Sequence, residues 1–136
     1  MTIKFLLDTN VISEPLKPAP NHKVMQKLKV HEIELAIPSI AWHELLVGCY
    51  RLPNSRKRST IEKYLNEVVL PILPYDDAAA RWHAQERARL IGLGKTPSFI
   101  DGQVAAIAYT KDLVLVTFNT SDFSSFKGLN VVNWQR

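Results

Sequence analysis

Residues 3–12 read Ile3-Lys4-Phe5-Leu6-Leu7-Asp8-Thr9-Asn10-Val11-Ile12. A short apolar run stops on an acid, and apolar character resumes after two more polar residues. The run fits a strand buried on both faces, and Asp8, Thr9 or Asn10 can then cap a helix. The same rhythm recurs along the chain. Glu34–Ile37 is a second strand candidate, stopped by Pro38, and Val68–Leu73 a third, its internal Pro71 favouring a sheet edge. Leu113–Thr117 and Leu129–Val132 are the fourth and fifth. Helical patterns fill the gaps. Asn21 can cap His22–Val30, Ser39 can cap Ile40–Arg51, Asn54 can open a helix toward Glu67, Asp76 one over Ala78–Ile91, and Ser98 one over Phe99–Thr110. Gly92-Leu93-Gly94 is a helix stop. Strands alternating with helices predict an α/β domain with a mainly parallel sheet. Such sheets form their sites outside the carboxyl ends of the strands, which is where Asp8 and Thr117-Phe118-Asn119 fall.

The chain of 136 residues suits a single domain, 1–136, and 46% hydrophobic with 22% charged residues excludes general disorder. Cys49 is the one cysteine and can form no intrachain disulfide, so a reducing, cytoplasmic setting is expected. Asp8 interrupts the first apolar run well before the ~18 residues of a membrane span, and no basic start precedes a signal-type stretch. No membrane association is expected. The formal net charge is +4. It sits in the segment holding Arg51, Arg56, Lys57, Arg58 and Lys63 against Glu62, on an otherwise neutral body. Such a cluster is either a polyanion footprint or a solvated loop with helix-end charges.

Among 13 acids, placement singles out four. Asp8 ends a strand, Glu44 lies in Ile40-Ala41-Trp42-His43-Glu44-Leu45-Leu46, Asp101 in Phe99-Ile100-Asp101-Gly102-Gln103-Val104, and Asp122 follows the fourth strand. An ionised carboxylate in apolar company must be paired, hydrogen-bonded or metal-bound. Capping explains Asp8, Asp101 and Asp122 one at a time. Glu44 has no Lys or Arg three or four residues away. Convergence of all four would require a compensating cation, and carboxylate oxygens suit Mg²⁺ or Mn²⁺. A centre of that kind hydrolyses phosphate esters. The histidines lack zinc spacing. His83 and Glu86, one turn apart, read as an exposed helix face. Gly92-Leu93-Gly94-Lys95-Thr96 lacks the upstream glycine of a P-loop.

These motifs, in this order, resemble the PIN-domain family, especially its VapC-like toxin ribonucleases. Leu7–Glu14 resembles the family's opening, Glu44 its second acid, Ile100–Ala108 its third-acid helix, and Val116–Phe123 its late motif with a polar residue and a fourth acid; Val131-Val132-Asn133-Trp134 is similar to its ending. The resemblance implies a three-layer α/β/α sandwich around a five-stranded sheet of order 3-2-1-4-5. It implies a Mg²⁺-dependent endoribonuclease that is the toxin of a toxin–antitoxin pair and leaves 5′-phosphate and 3′-hydroxyl ends. Asp8 and Asp101 would hold the metal, with Mn²⁺ as a possible substitute, and Glu44 and Asp122 would complete the catalytic acids. Thr9 and Asn119 would orient groups, while Arg56, Lys57 and Arg58 would meet RNA phosphates. A homodimer and a cognate antitoxin are the implied partners. The apolar rows Trp42, Leu45, Leu46, Ile61, Tyr64 and Leu65 could form the antitoxin's groove. Two departures stand out: Phe118 where the family often has arginine, and Asn133 where it has proline. An RNA-binding or regulatory module with little catalysis, and another Mg²⁺-dependent phosphohydrolase, are the alternative readings.

Overall fold

Leu6 and Leu7 enter two different cores. Successive strand residues point to opposite faces, so Leu6 joins Ala36 and Leu115 on one face of the sheet while Leu7 joins Ile37 and Val116 on the other. The computed structural model describes residues 2–136. In chain order the elements are β1 (Phe5–Leu7), α1 (Thr9–Ile12), α2 (His22–Val30), β2 (Leu35–Pro38), α3 (Ser39–Tyr50), α4 (Arg56–Glu67), β3 (Ile72–Leu73), α5 (Asp77–Gly92), α6 (Phe99–Thr110), β4 (Val114–Val116) and β5 (Val131–Val132). The strands pair in the order β3-β2-β1-β4-β5, as expected, and every pairing is parallel.

Burial on both sheet faces makes a three-layer α/β/α sandwich. The first face is covered by α5 and α6, with Val104 to Ala108 buried as an unbroken run. Small alanines let this helix lie close to the strands. The second face is covered by Val11, Ile12, Val24 and Ala41 from α1, α2 and α3, with Trp134 closing it. Truncating a core residue such as Leu115, fully buried, would cost about 2–5 kcal/mol. No helix among the described residues is long and apolar enough to cross a membrane.

Local signals set most boundaries. Asn21, Asp76 and Ser98 each accept a backbone N–H of the first helical turn with their side chains. α5 stops at a left-handed Gly94 (φ 77°). The amides of Gly94 and Lys95 return to the carbonyls of Ile91 and Leu90 at 3.0 and 2.8 Å, a Schellman ending rather than a phosphate loop. Four expectations are corrected. Ser39 is the first residue of α3, with Pro38 at the cap position, and it does not cap. Ser55, not Asn54, caps α4. β3 is only Ile72–Leu73, because Pro71 has no amide to pair and Val69 is 90% exposed. His83 and Glu86 are buried, not an exposed face. Glu86 is fixed by two 2.8 Å bonds from Arg89 and by the amide of Lys127. Arg89 in turn donates to the carbonyl of Ser125, so the pair pins the C-terminal half of α5 to the segment before β5.

Candidate active site

Asp8 leaves β1 at its carboxyl end, with its amide bonded to the carbonyl of Val116 on β4. Its carboxylate is held from two sides. The amide of Thr9 donates to Oδ1 at 2.9 Å and the hydroxyl of Thr117 to Oδ2 at 2.8 Å. Thr117 is fully buried and also accepts the amide of Asn119 at 3.1 Å. One threonine thus ties the end of β4 to the acid at the end of β1. The hydroxyl of Thr9 donates to Oε1 of Glu44 at 3.1 Å, linking α1 to α3. Capping and site roles coincide at Asp8, which is the N-cap of α1.

An open cleft of about 360 Å³ is lined by Asp8, Glu44 and Asp101, with Thr9, Asn10, Ser13, Ile100 and Asn119 around them. Asp101 sits in the first turn of α6. Its amide donates to the Oγ of Ser98 at 3.3 Å, so Ser98 caps the helix. Desolvation pushes the Asp101 carboxyl up to about 6, with the negative charges of Asp122, Asp8 and Glu44 adding to it. All four predicted acids therefore share one field. Asp122 is exposed and lies outside the cleft lining, in the 3₁₀ turn Thr120–Phe123, where its amide donates to the carbonyl of Asn119.

The donor set fits a hard divalent cation. Carboxylate oxygens predominate, Asp101 resists ionising without compensation, and the Oδ1 of Asn10 is buried with no hydrogen-bond partner. Among the described residues, no three of His, Cys, Asp and Glu stand close enough to form a ready ligand set. Threonine bonds fix the Asp8 and Glu44 carboxylates, and a site with few direct protein ligands suits Mg²⁺, which keeps several waters.

The predicted basic residues divide. Arg56 and Lys57 line a groove of about 740 Å³ with Lys17, Leu16 and Ile61. Ser13 lines both this groove and the acidic cleft, so the two adjoin. Arg58 is engaged internally, donating to Glu62 at 2.7 Å and to the carbonyl of Leu52 at 3.2 Å. Of the apolar rows on α3 and α4, only Ile61 lines the groove. Trp42 and Leu45 pack on the core, Leu65 is buried, and the Tyr64 hydroxyl bonds to the carbonyl of Ile12 at 2.6 Å. Phe118 carries no charge, but the Nζ of Lys17 stands 5.8 Å from its ring centroid. Thr117 was not anticipated as a site residue. The only signal in the sequence was its place at the end of the fourth strand.

The PIN domain family profile matches residues 5–129. The toxin FitB of Neisseria gonorrhoeae is 36% identical over 126 residues, covering 87% of this chain and 89% of that protein. The tRNA(fMet)-specific endonuclease VapC of Shigella flexneri is 31% identical over 134 residues, covering 97% of this chain and 98% of that one. Among solved structures, DNA-bound VapBC from Salmonella typhimurium superposes with a TM-score of 0.81 at 29% identity, covering 97% and 98% of the two chains.

Proposed function

Since the chain belongs to the PIN-domain family, we propose that it is a Mg²⁺-dependent endoribonuclease, the toxin of a toxin–antitoxin pair. The observation that carries this is the cleft at the carboxyl end of the sheet lined together by Asp8, Glu44 and Asp101, with Asp122 adding its charge to theirs. Relatives named as a toxin and as a VapC endonuclease support it.

Asp8 and Asp101 would hold Mg²⁺, or Mn²⁺ in its place, with Asn10 lining the same cleft. When bound, the ion supplies a nucleophile from water at neutral pH and neutralises charge on the phosphate. The chain's own groups do the rest. Thr117 and the Thr9 amide hold both oxygens of Asp8 in one orientation. The Thr9 hydroxyl fixes Glu44, whose carboxylate can accept a proton from the attacking water. Asn119 and Asp122 border the late loop, where they can orient solvent. Arg56 and Lys57, next to the cleft across Ser13, bind the RNA backbone without reading bases.

A nuclease with an open acidic cleft needs an inhibitor, and an antitoxin is the proposed partner. A homodimer and action in the cytoplasm, where RNA is present and Cys49 stays reduced, complete the reading. Inducing the chain alone should arrest growth. Co-expressing the small reading frame beside its gene should relieve the arrest, and Asp8→Asn should not arrest growth at all. Harmless expression at a high level would move the weight to an RNA-binding module.

A further inference from the structure

α5 carries a buried polar side chain that the proposed chemistry leaves unused. His83 is 2% exposed and lies on the stripe Ala79, His83, Glu86, Leu90 that α5 buries. Its ring is held on three sides. The Tyr75 hydroxyl lies 2.8 Å from Nδ1, and the Tyr75 ring stands edge-on at 5.8 Å. Phe99, the first residue of α6, packs with its centroid 5.0 Å away. The third side meets bare backbone at Gly102. A Cβ on that residue would stand 2.0 Å from Nε2 and 2.6 Å from Cδ2, so only glycine permits the approach. Gly102 directly follows Asp101 in the first turn of α6. Burial lowers the His83 pKa and the nearby charge of Arg87 adds to this, so the ring is neutral at physiological pH.

We infer that His83 is a positioning residue for Asp101: its imidazole, anchored by Tyr75 and seated on Gly102, sets where the first turn of α6 delivers the Asp101 carboxylate into the acidic cleft. The inference rests on the nuclease reading. Helices that meet through flexible side chains can shift by rotamer changes. A planar ring against backbone, itself bonded and packed, allows one separation because interiors are close-packed. Misplacing a reacting group by ~1 Å costs about 100-fold in rate, so a steric stop beside Asp101 has a large lever.

The test compares Tyr75→Phe, His83→Ala, Gly102→Ala and the double variant His83→Ala/Gly102→Ala in the full chain. Each is measured for melting temperature, for Mn²⁺ affinity by calorimetry without RNA, and for kcat and KM on RNA at saturating Mn²⁺. His83→Ala and Gly102→Ala should weaken Mn²⁺ binding about 10- to 100-fold, the range seen when groups behind metal ligands are lost. They should lower kcat and leave KM for RNA unchanged. Tyr75→Phe removes one hydroxyl, keeps the packing, and should shift Mn²⁺ affinity the same way by less. In the double variant the added methyl fills space left by the imidazole, so part of the affinity lost in Gly102→Ala should return. Lower melting temperatures with wild-type Mn²⁺ affinity and kcat per folded molecule would overturn the inference, as would a double variant worse than both singles. A wild-type chain that neither binds Mn²⁺ nor cuts RNA would remove the nuclease reading, and this inference with it.

Discussion

Asp101→Asn should make the metal-free protein more stable while abolishing cleavage. Burial and the neighbouring carboxylates push the Asp101 carboxyl from its ordinary 3.8 up to about 6, equivalent to about 3 kcal/mol against ionisation at ~1.36 kcal/mol per tenfold change in acidity. Solvent reaches this partly buried group and screens the repulsion, so about half of that, 1–2 kcal/mol, is a fair expectation. Against it, a negative charge in the first turn of α6 contributes about 0.3–1 kcal/mol through the helix dipole, and the amide forfeits this. The net gain is about 1 kcal/mol near pH 7.5, a rise of roughly 3–5 °C in Tm for a chain of this size. The sign with pH is fixed by linkage. The folded pKa lies above the unfolded one, so the wild type keeps its stability below about pH 4 and loses it as pH rises through 6. Thermal unfolding in EDTA from pH 4 to 8 should show two curves that meet at acid pH and separate by pH 7. Excess Mg²⁺ should then stabilise the wild type and leave the variant unmoved. A variant less stable at pH 7.5 in EDTA, or an offset that does not grow with pH, would refute the electrostatic reasoning.

Thr117→Val keeps the volume but removes the donor to Asp8 and the acceptor for the Asn119 amide. It should cost about 1–2 kcal/mol in urea unfolding and lower cleavage about 10-fold or more at saturating Mg²⁺. Neutralising Arg56 and Lys57 together should reduce the slope of log affinity for single-stranded RNA against log salt by about 1.4, near 0.7 for each lost phosphate contact. Arg58→Gln, with its partners internal, should leave that slope alone. Glu86→Ala should destabilise by about 2–3 kcal/mol at pH 7, since it strands Arg89 and the Lys127 amide, with kcat unchanged. Bonds from Arg89 and Lys127 hold the Glu86 pKa down, so its contribution is present above about pH 4.3 and fades as pH falls through the folded value, the opposite of Asp101.

Short-range physics was legible in the sequence and long-range packing was not. Caps at Asn21, Asp76 and Ser98 act within three residues, and the side chains found there are the ones expected. Alternating apolar runs placed the strands, and Pro71 placed β3 at an edge but also shortened it. The apolar company of the four acids marks them in the sequence; Asp8, Glu44 and Asp101 line one cleft, while Asp122 lies outside its lining. What stayed hidden depends on partners far along the chain. Thr117 meets Asp8 across 109 residues, and its hydroxyl looks like any strand-end threonine. His83 and Glu86 share helical spacing that suits a solvated face. Their burial is decided by Gly102 and by the Lys127 amide, 41 residues beyond Glu86, which no periodicity reports. Arg58 is different: its partners are near, Glu62 four residues on and the Leu52 carbonyl six residues back, and this local pairing sets it apart from Arg56 and Lys57.

The proposed centre joins four carboxylates in one metal-dependent phosphodiesterase site. Purified chain incubated with a 5′-labelled RNA, with Mg²⁺ or with EDTA, tests it most directly alongside Asp8→Asn and Asp101→Asn. Internal cuts that leave 5′-phosphate and 3′-hydroxyl ends are expected with Mg²⁺, with no cuts in EDTA and none from either folded variant. Cleavage that persists in EDTA, or in either variant at the wild-type rate, would contradict it.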